Sequence, residues 1–161
     1  MCAYYAYRLR MQFQFLFIRD AFHNTKPGML THVLGQDVSK ALLGLHAFTG
    51  CDSVSAFMGI GKARSFKLLR SKNEFQVMFQ NLGEQCSITE ELCVQLESFV
   101  CAMYGMKKGN QGVNQCRYAV FCSKKGEAES HQLPPFCDRV RHPCKEANHQ
   151  SAVWKNALTN N

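Results

Sequence analysis

Six residues between positions 52 and 67 are of types that could meet a phosphodiester backbone: Asp52, Gly59, Gly61, Lys62, Arg64 and Lys67. The first five sit in two strings, Leu45-His46-Ala47-Phe48-Thr49-Gly50-Cys51-Asp52 and Gly59-Ile60-Gly61-Lys62-Ala63-Arg64, and Lys67 follows the second. Asp52 is a carboxylate of the kind that holds a divalent metal ion. The paired glycines let a backbone come close to another surface. The first amides of a helix after Gly61 have no partner within that helix, and the macrodipole makes that end positive, so one phosphate could rest there. His46 lies one turn before the end of the preceding helix and reads as a core histidine rather than a ligand.

The surrounding charge agrees with this chemistry. No acidic residue separates Asp52 from Glu74, while Lys62, Arg64, Lys67, Arg70 and Lys72 fall in the interval. Phe66 and Leu69 can turn inward while Arg64 and Lys67 stay solvated. Such an element would grip the sugar-phosphate backbone and read no bases. Other clusters carry less. Cys137, His142, Cys144 and His149 match the spacing of no closed zinc site. Lys107, Lys108, Lys124 and Lys125 read as solvated loop charges, and Trp154 as a packing anchor.

These residues need elements to hold them. Leu30, Val33, Leu34, Val38, Ala41, Leu42, Leu45 and Phe48 keep helical spacing, with Gly35 and Gly44 as points of interruption or bending. Residues 50–61 read as a structured turn and 62–70 as a second short helix. Capping boxes at Ser71/Glu74 and Ser87/Glu90 open two more helices, which Gly83 and Gly105 stop. Residues 106–112 read as a loop. Residues 113–123 read as a helix anchored by Val113, Tyr118 and Phe121. Residues 124–132 read as a second loop, and 136–158 as a helix that Pro143 should break or kink. Upstream, Gln12 and Gln14 alternate with Phe13, Phe15 and Phe17, which predicts a short N-terminal β-strand over 11–19; residues 20–29 read as a loop. The expected organisation is an unassigned segment at 1–29, a helical region at 30–125 and a C-terminal tail helix region at 126–161. The expected class is mainly α.

Composition sets the bounds. The chain has 161 residues, 46% of them hydrophobic, with 12 Phe, enough for one real core. Wholesale disorder is excluded by that apolar content. A formal charge of +7 favours polyanionic partners. Nine Cys without a C-x-x-C pair or a secretory signal read as reduced thiols inside the cell. Cys86, Cys93, Cys101, Cys116 and Cys122 fall in apolar, helical-looking stretches. The Phe13–Ile18 run is too short to span a membrane, so the expected location is intracellular, extending to the nucleus, with no membrane partner.

Gly50-Cys51-Asp52 followed by Gly59-Ile60-Gly61-Lys62-Ala63-Arg64 resembles the helix–hairpin–helix of flap endonucleases, a branch of the PIN-like nucleases. The resemblance covers residues 42–70. It implies that Asp52 descends from a ligand of an active-site metal. It also implies that Gly59, Gly61 and Lys62 sit against a duplex backbone. The chain over roughly 34–158 is also similar to a group of transposon-derived animal proteins. The shared strings are Phe99–Cys101 with Tyr104–Gly105, Val113-Asn114 with Arg117-Tyr118, Leu133-Pro134-Pro135, and Ala147-Asn148-His149-Gln150 with Trp154. Leu43 stands where that group has Pro, and Glu146 where it has Arg. This second resemblance implies nothing about activity.

Two-metal cleavage needs several carboxylates holding ions about 4 Å apart. Upstream of Asp52 there are only Asp20 and Asp37. The leading expectation is therefore a DNA-backbone-binding remnant of a flap-nuclease-like protein, a fragment of an α/β PIN-like nuclease. As given it should be catalytically inactive, and Mg²⁺ becomes relevant only if a complete active site exists. One alternative is the C-terminal part of an active, structure-specific nuclease acting on branched DNA, which carboxylates upstream of Met1 would favour. Another is a structural or protein-interaction module, which unchanged mobility of branched DNA at low salt would favour. The oligomeric state stays open.

Overall fold

The computed structural model describes residues 34–50, 57, 60–106, 112–125, 127 and 129–159. Within them the secondary structure is helical throughout. The elements are α1 (Gln36–Thr49), α2 (Lys62–Ser71), α3 (Asn73–Asn81), α4 (Glu90–Met103), α5 (Val113–Ser123), a 3-10 turn (Ser130–Gln132) and α6 (Cys137–Thr159). The mainly α class is as expected. The strand at 11–19 lies outside the described residues, as do Asp20 and the start of the stretch at Leu30.

The core follows from helical periodicity. In α4 the buried residues Leu92, Cys93, Leu96, Phe99, Val100 and Met103 form one stripe. Phe99 receives Phe75 and Phe79 of α3 edge-on, with ring centroids 5.0 and 4.8 Å away. Phe48 of α1 joins them, 5.9 Å from Phe79 and 6.3 Å from Phe99. Edge-to-face rings at these separations add to simple area burial. The same buried cluster takes Val38 from α1 and Val140, Cys144 and Ala147 from α6, so the tail helix is part of the core.

Several local expectations are corrected. Gly35, at φ +80°, does interrupt the first helical stretch, but Gly44 lies inside α1. A Cβ there would stand 2.3 Å from the carbonyl oxygen of Phe79, so Gly44 is where the backbones of α1 and α3 meet. The Ser71/Glu74 capping box does not form. Ser71 is the last residue of α2, and its hydroxyl donates to the Leu68 carbonyl. Nor does the box at Ser87: Thr89 caps α4 by accepting from the Leu92 amide at 3.2 Å. Tyr118 and Phe121 do not anchor α5, being 71% and 39% exposed; Cys116 joins Val113 in that task. The helix α6 is not broken at Pro143. Proline removes one backbone hydrogen bond, and the buried stripe Val140, Cys144, Ala147 and Ser151 holds the helix on both sides of it. Cys86 and Cys122 are exposed rather than packed, while Cys93, Cys116 and Cys144 are buried.

Helix ends explain the connections. Gly105 carries φ +86°, with its amide donating to Ala102 and that of Met106 donating to Cys101. This is the Schellman arrangement, which favours glycine because an L side chain is strained there. The connection after α3 is clamped by Asn148 of α6. Its side chain donates to the Gln85 carbonyl at 3.0 Å and accepts from the Gly83 amide at 2.9 Å. No helix of the described residues is long and apolar enough to cross a membrane.

Candidate nucleic-acid interface

The basic segment forms α2, which packs on α1, α3 and α4. Phe66 and Leu69 are buried, and the Ser65 hydroxyl, also buried, donates to the Met103 sulfur at 3.2 Å. This fixes the rotation of the helix. Arg64, Lys67 and Arg70 are then all exposed. At i, i+3, i+6 spacing they form one ridge roughly 9 Å long on the face opposite the core. Lys62 is half-buried and lies toward the core side, so it stands apart from that ridge.

The N-terminal end of α2 begins at Gly61, in extended conformation with φ −69°. Among the described residues no side chain caps this end, and the first turn carries no acidic residue. The Gly61 carbonyl accepts from the Arg64 amide at 3.0 Å. Among the described residues, nothing lies within 4 Å of where a Gly61 Cβ would stand. Neither the dihedral nor packing against the described residues therefore calls for glycine here, and Gly61 is exposed. The Arg64 guanidinium reaches toward the C-terminal turn of α4, with Nη2 3.4 Å from where a Gly105 Cβ would be.

Asp52 and Gly59, the other two members of the sequence constellation, lie outside the described residues. Between them Phe57 is half-buried with its ring 5.1 Å from Phe48, and just after them Ile60 is half-buried with its amide donating to the Phe57 carbonyl. The connection from α1 to α2 is thus tied to the core just before Gly61.

The other singled-out residues serve architecture. His46 is buried and stacks on Trp154 at 5.8 Å with the planes 17° apart, as a core histidine and a packing anchor should. Arg117 donates to the Pro134 carbonyl at 2.6 Å and lies 4.3 Å over the Phe136 ring, fastening the Leu133-Pro134-Pro135 string to α5. On α6, His142 is 75% exposed and pairs with Glu146, whereas Cys144 is buried, so the two do not converge. Among the described residues no three His, Cys, Asp or Glu side chains gather around a metal-sized site. Lys124 donates to the Gln132 side chain at 2.7 Å. Sequence reasoning missed the Asn148 clamp and the close approach at Gly44, since neither has a local signature.

Comparison with protein-family models, curated proteins and solved structures gives no match.

Proposed function

We propose that this chain binds the backbone of duplex or branched DNA, without sequence preference, through α2 and its N-terminal glycine. The observation that carries this reading is the ridge of Arg64, Lys67 and Arg70, exposed on the one helix face that the core leaves open. The exposed Gly61 at the N-terminus of α2, which has no cap among the described residues, supports it, because a phosphate approaching there meets amide donors and a positive dipole end. Gly59 belongs to the proposed interface, Lys62 joins it through its position in the first turn of α2 rather than through the ridge, and Asp52 is read as the remnant of a metal ligand. The segment is a helix–hairpin–helix of the flap-nuclease kind that keeps the grip and does not cut. A nuclear location goes with such a role, since that is where the protein would meet DNA.

The test is fluorescence anisotropy of a labelled DNA flap and a labelled duplex, titrated over a range of salt. Affinity should fall steeply and equally for unrelated sequences, because each neutralised phosphate releases counterions. Replacing Lys67 and Arg70 by Gln should lower the magnitude of the log–log salt slope by about 0.9 for each phosphate no longer neutralised. Gly61→Ala should leave the melting temperature unchanged and weaken binding. Salt-insensitive binding, or an affinity indifferent to both changes, overturns the reading.

A further inference from the structure

We propose that α5 and the entry to α6 form a platform on which the unpaired bases of a single nucleic-acid strand stack. Among the described residues three aromatic side chains are exposed, Tyr118 at 71%, Phe121 at 39% and Phe136 at 55%, and they lie along one surface. Asn114, Arg117, Tyr118 and Phe121 follow i, i+3, i+4, i+7 spacing, which puts them on one face of α5. The chain entering α6 is bound to that face. The Cys137 amide donates to the Asn114 side chain at 3.0 Å. The Arg117 guanidinium lies 4.3 Å over the Phe136 ring while donating to the Pro134 carbonyl at 2.6 Å. Rings and guanidinium thus make one strip, about 10 Å long on α5.

The rings are not used for packing. The helix α5 meets the core through Val113 and Cys116, on another side. Among the described residues no second ring stacks on Tyr118 or Phe121, whereas one face of Phe136 is taken by Arg117. Phe136 therefore braces Arg117, and Tyr118 and Phe121 offer flat faces to a ligand. Every nucleobase is itself a flat π system, so such faces accept any base.

Charge selects the occupant. The charged residues of the stretch 112–125 are Arg117, Lys124 and Lys125, all basic, and the acidic Glu127 and Glu129 follow only in the connection beyond. Lys124 and Lys125 are exposed about one turn past Phe121. A second copy of the chain seated here would set these cations against their own counterparts, since a twofold contact puts the same patch on both partners. A single strand satisfies both features: its bases stack on the rings, and its phosphates meet the cations. A duplex shows only base edges in its grooves, so the platform selects an unpaired strand. This site is separate from the ridge on α2 and stands without it.

The experiment measures fluorescence anisotropy of a labelled oligothymidylate with the folded full chain, beside an abasic strand of the same length and a blunt duplex. The intact strand should bind roughly tenfold or more tightly than the abasic one, because the two differ only in bases. Tyr118→Ala and Phe121→Ala should each weaken oligothymidylate binding by roughly 5- to 100-fold and leave duplex binding unchanged. Tyr118→Trp should keep the affinity, whereas Tyr118→Leu, apolar but without a π face, should lose it as Ala does. If the duplex fails to bind and oligothymidylate binding holds, the reading of α2 falls and the platform stands. The proposal is overturned if the abasic strand binds as tightly as the intact one, or if Tyr118→Leu binds like the parent. It is equally overturned if sedimentation equilibrium shows a dimer that Tyr118→Ala dissociates, which would make a second copy the occupant.

Discussion

Replacing Gly44 by Ala sets two physical effects against each other. Gly44 lies in the middle of α1, where Ala is favoured by about 1 kcal/mol on helix propensity alone. Yet the added methyl would stand 2.3 Å from the Phe79 carbonyl oxygen and 3.1 Å from its carbon, about 1 Å inside the 3.4 Å of ordinary van der Waals approach. The obstacle is backbone, so no rotamer change relieves it, and α1 and α3 must separate. A gap of about 1 Å forfeits a quarter to a half of the dispersion attraction across it. The side chains beside it include Leu45, Phe48, Phe79 and Leu82, all fully buried. If a buried side chain of that size has 40–60 atom pairs at ~0.1–0.2 kcal/mol each, a quarter forfeited by even two such side chains costs roughly 2–6 kcal/mol. After the propensity gain, the net loss should be roughly 1–5 kcal/mol, at roughly 2–4 °C of melting temperature for each kcal/mol. Urea unfolding followed by the fluorescence of Trp154 is the assay, since that residue is the only Trp and stacks on His46, two residues beyond the substitution. A Gly44→Ala variant as stable as the parent, or more stable, would refute the close approach of α1 and α3.

Two other outcomes are expected. Burial raises the Glu97 carboxyl above its usual value, so its ionised form opposes folding. Stability from this group is fully present below the ordinary carboxyl range and falls as pH rises through the elevated folded value; Glu97→Gln should therefore melt higher than the parent at neutral pH and equal to it in acid. A difference that does not vary with pH would show that the residue acts through packing instead. On flap, nicked and single-stranded DNA with magnesium or manganese, the chain should release no products, because one carboxylate at Asp52 cannot hold the ions that two-metal cleavage requires. Cleavage abolished in Asp52→Ala would reverse that reading.

What could be read from residue order was what depends on neighbours a few positions away. Helical spacing placed α1, α4 and α5 and marked Phe48, Phe66, Leu69, Phe99 and Val100 as inward, because a stripe repeats every three or four residues. The stops at Gly83 and Gly105 were legible for a similar reason, as a helix ending in a positive φ favours glycine. Of the candidate site, the types and sequence of the basic residues were legible, and so was the inward turn of Phe66 and Leu69. Other features depend on parts of the chain far apart in sequence. Only the packing of α2 on α1, α3 and α4 fixes its rotation, which joins Arg64, Lys67 and Arg70 into a ridge and leaves Lys62 aside. Only the fold brings Phe79 against Gly44 and Asn148 against the turn at Gly83. Local pattern also misjudged caps and anchors. Serine before an acidic residue resembles a cap wherever it stands, but α2 runs on to Ser71 and α4 waits until Thr89. Tyr118 and Phe121 are large and apolar, yet α5 meets the core on its Val113–Cys116 side, which is a property of where α4 lies.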